Sequence, residues 1–256
     1  MGERFYTMPI AHRGLHDGNV NVIENSMQAF KLAIEKGFNI ETDVRLLTDG
    51  KLAIFHDSNM KRVTGKRVKI QKLSSKDLEK PEYFLPNGEK VPLFEDLLEL
   101  VDGKVDILCE IKAGRPTDFA LEKMLYSQIK GKPWVTIQSF NPYSVHWFTE
   151  NAPEVRRGIL GEKAKNFPLR ILYKLVNPYW VLCVVRPDFL AYHIDFLPSK
   201  RIEIAVKGFN LKLLSWTIKN DEFYTRAEEN NCDNIIFERL DIDAAPYKEQ
   251  FPRHKD

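Results

Sequence analysis

FNIETDVRLLTDGKLAIFHDS, residues 38–58, holds two strand-length runs separated by the turn Thr48-Asp49-Gly50. In the first run Phe38, Ile40, Thr42 and Val44 fall on one face, and Asn39, Glu41 and Asp43 on the other. Successive residues of an extended strand point to opposite sides, so the alternation sorts them physically. The apolar face suits a covering helix. The carboxylates then face the axis of a closed sheet, near the strand's end. Too few residues join the two runs for a parallel crossover, so KLAIFHD must return antiparallel. With Asp49-Gly50 as the turn, counting outward sets His56 opposite Asp43. A slip of one residue would turn His56 to the other face.

Outward from this hairpin, apolar runs of strand length alternate with segments of helical period, the pattern of a parallel α/β fold. The other strand candidates are MPIAH (8–12), VDILCEIK (105–112), WVTIQSF (134–140), RRGIL (156–160), DFLAYHI (188–194), LKLLSWTI (211–218) and NIIFE (234–238). Several intervening helices begin beside Ser, Asn or Asp and stop at Gly or Asn, as capping requires. With FNIETDV these make eight strands, the count for a closed barrel. A polar, irregular insertion over about 58–91 follows the hairpin. No internal repeat or low-complexity linker breaks the chain, so one domain over 1–256 is expected.

At 256 residues the chain is long enough for such a barrel, which takes about 250. Its 38 basic and 36 acidic residues leave a net charge of +2, too balanced overall for nucleic acid or an anionic membrane as the main partner. Cys109, Cys183 and Cys232 are odd in number and far apart, which fits a reducing, cytoplasmic compartment rather than a disulfide framework. No signal peptide is expected, since no long apolar stretch precedes the first polar motif. Ile171 to Val185 is strongly apolar but broken by Lys174, Asn177 and Pro178, so stable membrane insertion is not expected.

In VDILCEIK, Val105, Ile107, Cys109 and Ile111 form the helix-facing set, and Asp106, Leu108, Glu110 and Lys112 the inward one. Glu41, Asp43 and Glu110 thus converge at the ends of neighbouring strands. Three unpaired carboxylates in one low-dielectric mouth repel strongly. Either an internal salt-bridge layer with Arg13 and Lys112 or a divalent cation relieves that, and an all-oxygen set suits Mg²⁺ or Ca²⁺. His12 ends the first strand and His56 lies on the hairpin, so both can reach the same mouth. Two imidazoles beside an acid-bound dication are what acid–base cleavage of a phosphodiester needs. Arg13 can clamp phosphate oxygens and Lys112 can answer growing negative charge. Asp57 can orient His56. His16, His146 and His254 read as solvated, and His193 lies on a strand that should reach the mouth.

The ordered set IAHRG, ENS, ETDV, TDG, FHD, LCEIK, IQSF and SWT resembles the glycerophosphodiester phosphodiesterase family over about residues 8 to 240. The resemblance implies a (β/α)₈ TIM barrel with its site at the C-terminal strand ends. It implies hydrolysis of a glycerophosphodiester to sn-glycerol 3-phosphate and an alcohol. Carried over by motif, Glu41, Asp43 and Glu110 hold a divalent metal, Mg²⁺ or Ca²⁺. His12 and His56 are the acid–base pair, and Arg13 and Lys112 contact phosphate. Asn25, Gln138 and Trp216 line the substrate pocket, though Asn25 could instead cap a helix and Trp216 could be rim packing. Ser26, Ile218-Lys219 and Phe237-Glu238 depart from the family's usual threonine, WTxN and Thr-Asp, which touches substrate recognition rather than the class of chemistry. The expected partner is a small glycerophosphodiester. Two alternatives are a lysophospholipase D acting on amphiphiles, with the 171–185 region at its entrance, and a non-catalytic glycerophosphodiester-binding module.

Overall fold

The computed structural model describes residues 3–113, 118–162 and 178–247. Nine strands form one sheet: β1 (Ile10–Ala11), β2 (Asn39–Leu46), β3 (Leu52–Ile54), β4 (Ile107–Ile111), β5 (Val135–Ser139), β6 (Arg157–Gly161), β7 (Phe189–His193), β8 (Lys212–Ile218) and β9 (Asn234–Phe237). Eight run parallel in the order β1-β2-β4-β5-β6-β7-β8-β9, and β9 closes on β1 through Ile10 with Ile236 and Ala11 with Phe237. The closed eight-stranded barrel predicted from the alternation is therefore present, with helices between its strands. β3 lies outside the barrel, antiparallel to β2.

The alternation sorts the side chains as expected. Phe38, Ile40 and Val44 join Ile107, Cys109 and Ile111 in the outer core under the helices. Inside the barrel, Ile10, Leu108, Leu160, Phe189, Ala191, Leu214 and Ile236 fill the axis. β6 carries Gly158 because a Cβ there would sit 2.1 Å from the Phe189 ring. The bottom is closed by a short helix, Glu3–Thr7, absent from the sequence reading. Five residues are too few to show a helical period. Its buried Phe5 packs against Phe189 with the rings tilted by 51° and their centroids 5.5 Å apart, and Arg4 Nε meets Asp106 Oδ2 at 3.0 Å.

The hairpin register differs by one residue from the count made on the sequence. Val44 pairs with Ile54, Arg45 with Ala53 and Leu46 with Leu52, so Asp43 faces Phe55 and not His56. The loop has three residues, not two. Gly50 sits at φ +83° and donates its N–H to Leu47 O at 3.1 Å, while Leu47 N bonds Lys51 O at 2.9 Å. A left-handed glycine at the third loop position is a favoured way to close a three-residue hairpin. His56 nevertheless reaches the barrel mouth, because pairing ends just before it. Phe55 N makes the last ladder bond, to Asp43 O at 3.0 Å. The Arg45 guanidinium then holds the carbonyls of Phe55 and His56.

The segment after the hairpin packs on a small core of its own, formed by Phe55, Met60, Ile70, Leu73, Leu78, Leu85 and Val91 with Ile23 and Leu47. Each such side chain stabilises the excursion by about 1.5–3 kcal/mol. That holds the residues following His56 at the rim. Of the apolar stretch 171–185, residues 171–177 lie outside the described residues, and the remainder forms the helix Pro178–Val185. This helix packs on the helix Pro142–Asn151, where His146 Nδ1 lies 3.2 Å from Val184 O. Among the described residues no helix is long and apolar enough to cross a membrane.

Candidate active site

A cavity of about 570 Å³ opens at the C-terminal ends of the strands. β2 delivers Glu41 to its wall and β4 delivers Glu110, while Asp43, paired with Glu110 in the sheet register, is buried just behind them. All three are buried, and each offers a carboxylate oxygen within 4.8 Å of the others. Lys112 Nζ stands 3.1 Å from Asp43 Oδ1 and 2.6 Å from Glu110 Oε1. Arg13 donates its backbone N–H to Glu41 Oε2 at 3.0 Å and brings Nε to 3.6 Å from Asp43 Oδ2. Asn25 donates from Nδ2 to the same Asp43 oxygen at 2.9 Å and accepts from Thr42 Oγ1 at 3.0 Å. Ser26, not Asn25, caps the following helix, through Oγ and Ala29 N. Asn25 therefore does not cap the helix, nor does it line the cavity as expected: it is buried and braces Asp43.

Electrostatics divide the three acids. Burial opposes ionisation of Asp43, yet Lys112 and Arg13 outweigh it and hold that carboxyl well below the usual range. Burial and the neighbouring Asp43 and Glu110 push Glu41 well above its ordinary value. Burial and Asp43 raise Glu110 to about 7, against the pull of Lys112. Two cations are thus too few for three carboxylates, and Asp43 Oδ1 is buried without a well-formed hydrogen bond. Hard oxygen donors left short of positive charge fit a divalent cation.

The two histidines flank this cluster. His12 Nε2 lies 3.9 Å from Glu41 Oε2, and its Nδ1 lies 3.3 Å from Glu238 Oε2. An ionised carboxylate only accepts, so Nδ1 carries the proton and Nε2 keeps its lone pair. Burial lowers the His12 pKa to about 4 despite Glu238. His56 Nδ1 meets Asp57 Oδ1 at 2.7 Å, the orienting contact expected of Asp57. Burial lowers its pKa as well, with Asp43 opposing.

Three supporting groups escaped the sequence reading or were undervalued in it. Glu238 stands at the end of β9 where the family pattern has aspartate, and besides His12 it holds Lys219 Nζ at 3.2 Å. Arg62, from the insertion, binds Asp57 Oδ2 at 2.6 Å and both oxygens of Glu24 at 2.6 and 2.7 Å. Glu24 also accepts from Arg13 Nη1 at 2.8 Å. One chain of alternating charges therefore links Arg13, Glu24, Arg62, Asp57 and His56. No local pattern announces it, since its members are far apart in sequence.

Gln138 and Trp216 both line the cavity. The Trp216 indole N–H donates to Ala191 O at 3.0 Å, and its ring stands edge-on to Phe140 at 5.6 Å and to His193 at 4.7 Å. His16, expected in solvent, is 7% exposed and lines the cavity, its Nδ1 accepting from Gly18 N at 3.1 Å. The loop is folded inward at Gly14, whose φ of +78° turns the chain tightly against Ala29. His146, also expected in solvent, is half-buried beneath Val184. His254 lies outside the described residues.

The model of the glycerophosphoryl diester phosphodiesterase family matches residues 12–242. The chain belongs to that family. A glycerophosphodiester phosphodiesterase of Caldanaerobacter subterraneus is 30% identical over 241 residues, 90% of this chain and 93% of that protein. Among solved structures, a glycerophosphodiester phosphodiesterase from Parabacteroides distasonis aligns with a TM-score of 0.72 at 22% identity, covering 91% of this chain and 92% of its own. An Oleispira antarctica phosphodiesterase, solved with the product sn-glycerol-3-phosphate, aligns with a TM-score of 0.73 at 22% identity over 96% of both chains. The chain therefore has the barrel of these structures, and its acid cluster and histidines stand at the C-terminal strand ends, where barrel enzymes in general carry their sites.

Proposed function

We propose that the protein hydrolyses glycerophosphodiesters to sn-glycerol 3-phosphate and an alcohol, with His12 and His56 as its acid–base pair. The observation that carries this reading is the joining of two carboxylate-oriented imidazoles to the Glu41–Asp43–Glu110 cluster in one cavity. His12, neutral at pH 7 with its Nε2 lone pair unprotonated, takes the proton from the attacking oxygen. His56, oriented by Asp57, gives one to the leaving oxygen, with Asp43 and Asp57 opposing the burial that lowers its pKa. Glu238 holds the His12 tautomer and offsets the charge His12 gains. Arg13 and Lys112 clamp the phosphate and answer its growing charge. Gln138 and Trp216 border the substrate. Glu41, Asp43 and Glu110 would hold a divalent cation, Mg²⁺ or Ca²⁺, which when bound supplies Lewis-acid charge to the phosphoryl oxygens.

Deacylated phospholipid head groups such as glycerophosphocholine and glycerophosphoethanolamine are the substrates proposed, in a cytoplasmic setting that suits three cysteines odd in number and far apart in sequence. The test is release of glycerol 3-phosphate from a panel of these diesters with Mg²⁺ or Ca²⁺ and an EDTA control. Absence of product with every head group and metal overturns the proposal. Faster turnover of lysophosphatidylcholine than of glycerophosphocholine moves the activity to the lysophospholipase D class. Independently of turnover, either cation should raise the thermal midpoint, and Glu41→Gln should remove that response.

A further inference from the structure

From Ser58 to Lys76 the insertion carries seven cations, Lys61, Arg62, Lys66, Arg67, Lys69, Lys72 and Lys76, and no carboxylate. The rest of the chain, with 31 basic against 36 acidic residues, is acidic, so the balanced total conceals a strong local asymmetry. Only Arg62 of the seven is engaged by acids, Glu24 and Asp57. The other six are exposed and make no ion pair among the described residues, whereas Lys51, Lys80, Lys90, Lys207 and Lys212 each meet a carboxylate. The basic segment adjoins the catalytic mouth. Lys61 and Arg67 line a shallow cleft with Asp57 and Arg62, and Arg62 also lines the catalytic cavity.

A second observation falls at the same end of the barrel. Among the described residues four large hydrophobic side chains are exposed: Val20, Phe140, Tyr143 and Ile204. Three of them lie in segments that leave the C-terminal ends of barrel strands. Val20 follows Gly18 and Asn19, which line the cavity; Phe140 lines it directly; Tyr143 opens the helix that follows β5. Apolar side chains beside a cluster of uncompensated cations are the composition of a surface that rests on an anionic bilayer. A soluble polyanion would satisfy the cations alone and leave Val20 and Tyr143 in water.

We propose that the mouth of the barrel is a docking face for an anionic lipid surface, with the Lys61–Lys72 segment as its electrostatic anchor and Val20 and Tyr143 as its apolar contacts. Docking there directs the catalytic cavity toward the interface where lipid-derived diesters are generated. It requires no spanning helix. The proposal does not depend on the phosphodiesterase reading, because adsorption and turnover are measured separately.

The experiment is flotation of the full chain with vesicles of phosphatidylcholine alone or mixed with phosphatidylglycerol. Recruitment is expected on the mixed vesicles only, and should fade as salt rises. Each cation at such a surface contributes about fivefold to partitioning, so Lys61→Glu, Lys66→Glu and Arg67→Glu together should weaken recruitment by about 100-fold or more. Val20→Ser with Tyr143→Ser should weaken it further at unchanged charge. Both variants should keep the thermal midpoint and the turnover of a soluble diester. Should the triple variant not fold, Lys66→Gln with Arg67→Gln, each on the exposed rim, gives the same comparison. Recruitment that is absent, indifferent to lipid charge, or unaltered by the substitutions overturns the proposal. So does binding to duplex DNA without binding to vesicles.

Discussion

At the scale of single residues, the site depends on which proton sits on which nitrogen. Glu238 accepts from His12 Nδ1, and only that tautomer leaves Nε2 free to act as a base. His12→Ala should lower kcat by about 10²–10⁴-fold with the fold retained, as expected for loss of a general base. Glu238→Gln should lower kcat about tenfold with little change in KM, and Glu238→Asp should restore much of the loss. Steady-state kinetics on one soluble diester separates these outcomes. An equal effect on KM alone would make Glu238 a substrate contact instead. The sequence named Glu41, Asp43, Glu110 and Lys112 from strand parity, and His12, Arg13 and His56 from their places at strand ends beside those acids. It undervalued Glu238, which no alternation singles out, and it set His16 in solvent because burial of a loop residue leaves no periodic trace.

At the scale of elements, two turns place the chemistry. The chain leaves β1 through Arg13 and Gly14, both at positive φ, and a Cβ at Gly14 would come within 2.9 Å of the Ala29 Cβ and 3.0 Å of its backbone. Gly14→Ala combines left-handed backbone strain with overpacking, and should destabilise by about 2–4 kcal/mol in urea denaturation. The hairpin teaches a different lesson. Its pairing was legible from strand patterns, but its register was not, because Thr48 joins Asp49 and Gly50 in a three-residue loop that the dipeptide Asp-Gly does not reveal. The error did not mislocate His56, since the ladder stops at Phe55 and Arg45 fixes the carbonyls beyond it.

At the scale of the whole molecule, pH reports the balance of the charge network. Glu24 is drawn down to about 2 by Arg62 and Arg13, against the opposing effect of burial, and Glu238 is likewise depressed. A carboxylate with a depressed folded-state pKa contributes stability that is complete above its unfolded value near 4.5 and is lost as pH falls toward its folded value. Glu110, raised to about 7, acts oppositely: its protonation between pH 7 and 4.5 favours the folded state. His12 and His56, whose pKa values burial lowers, oppose that gain below about pH 6.5, so the metal-free protein should lose stability steeply only below about pH 4.5, where the depressed carboxylates protonate. Denaturant melts at pH 7, 5 and 3 check this. Glu24→Gln should cost on the order of 2 kcal/mol at pH 7 and flatten the acid limb.

By itself the sequence determined the barrel and the inward-pointing acids, because side-chain parity along a strand is a local property that burial must obey. It also determined the polybasic run, since charge is countable. Only the tertiary structure decided the hairpin register, the plug at the barrel bottom and the Arg13–Glu24–Arg62–Asp57–His56 chain. It alone brought Glu238 onto the histidine 226 residues before it. Those features depend on which distant residues meet when the sheet closes, and closure is a constraint on the whole chain that no window of sequence contains.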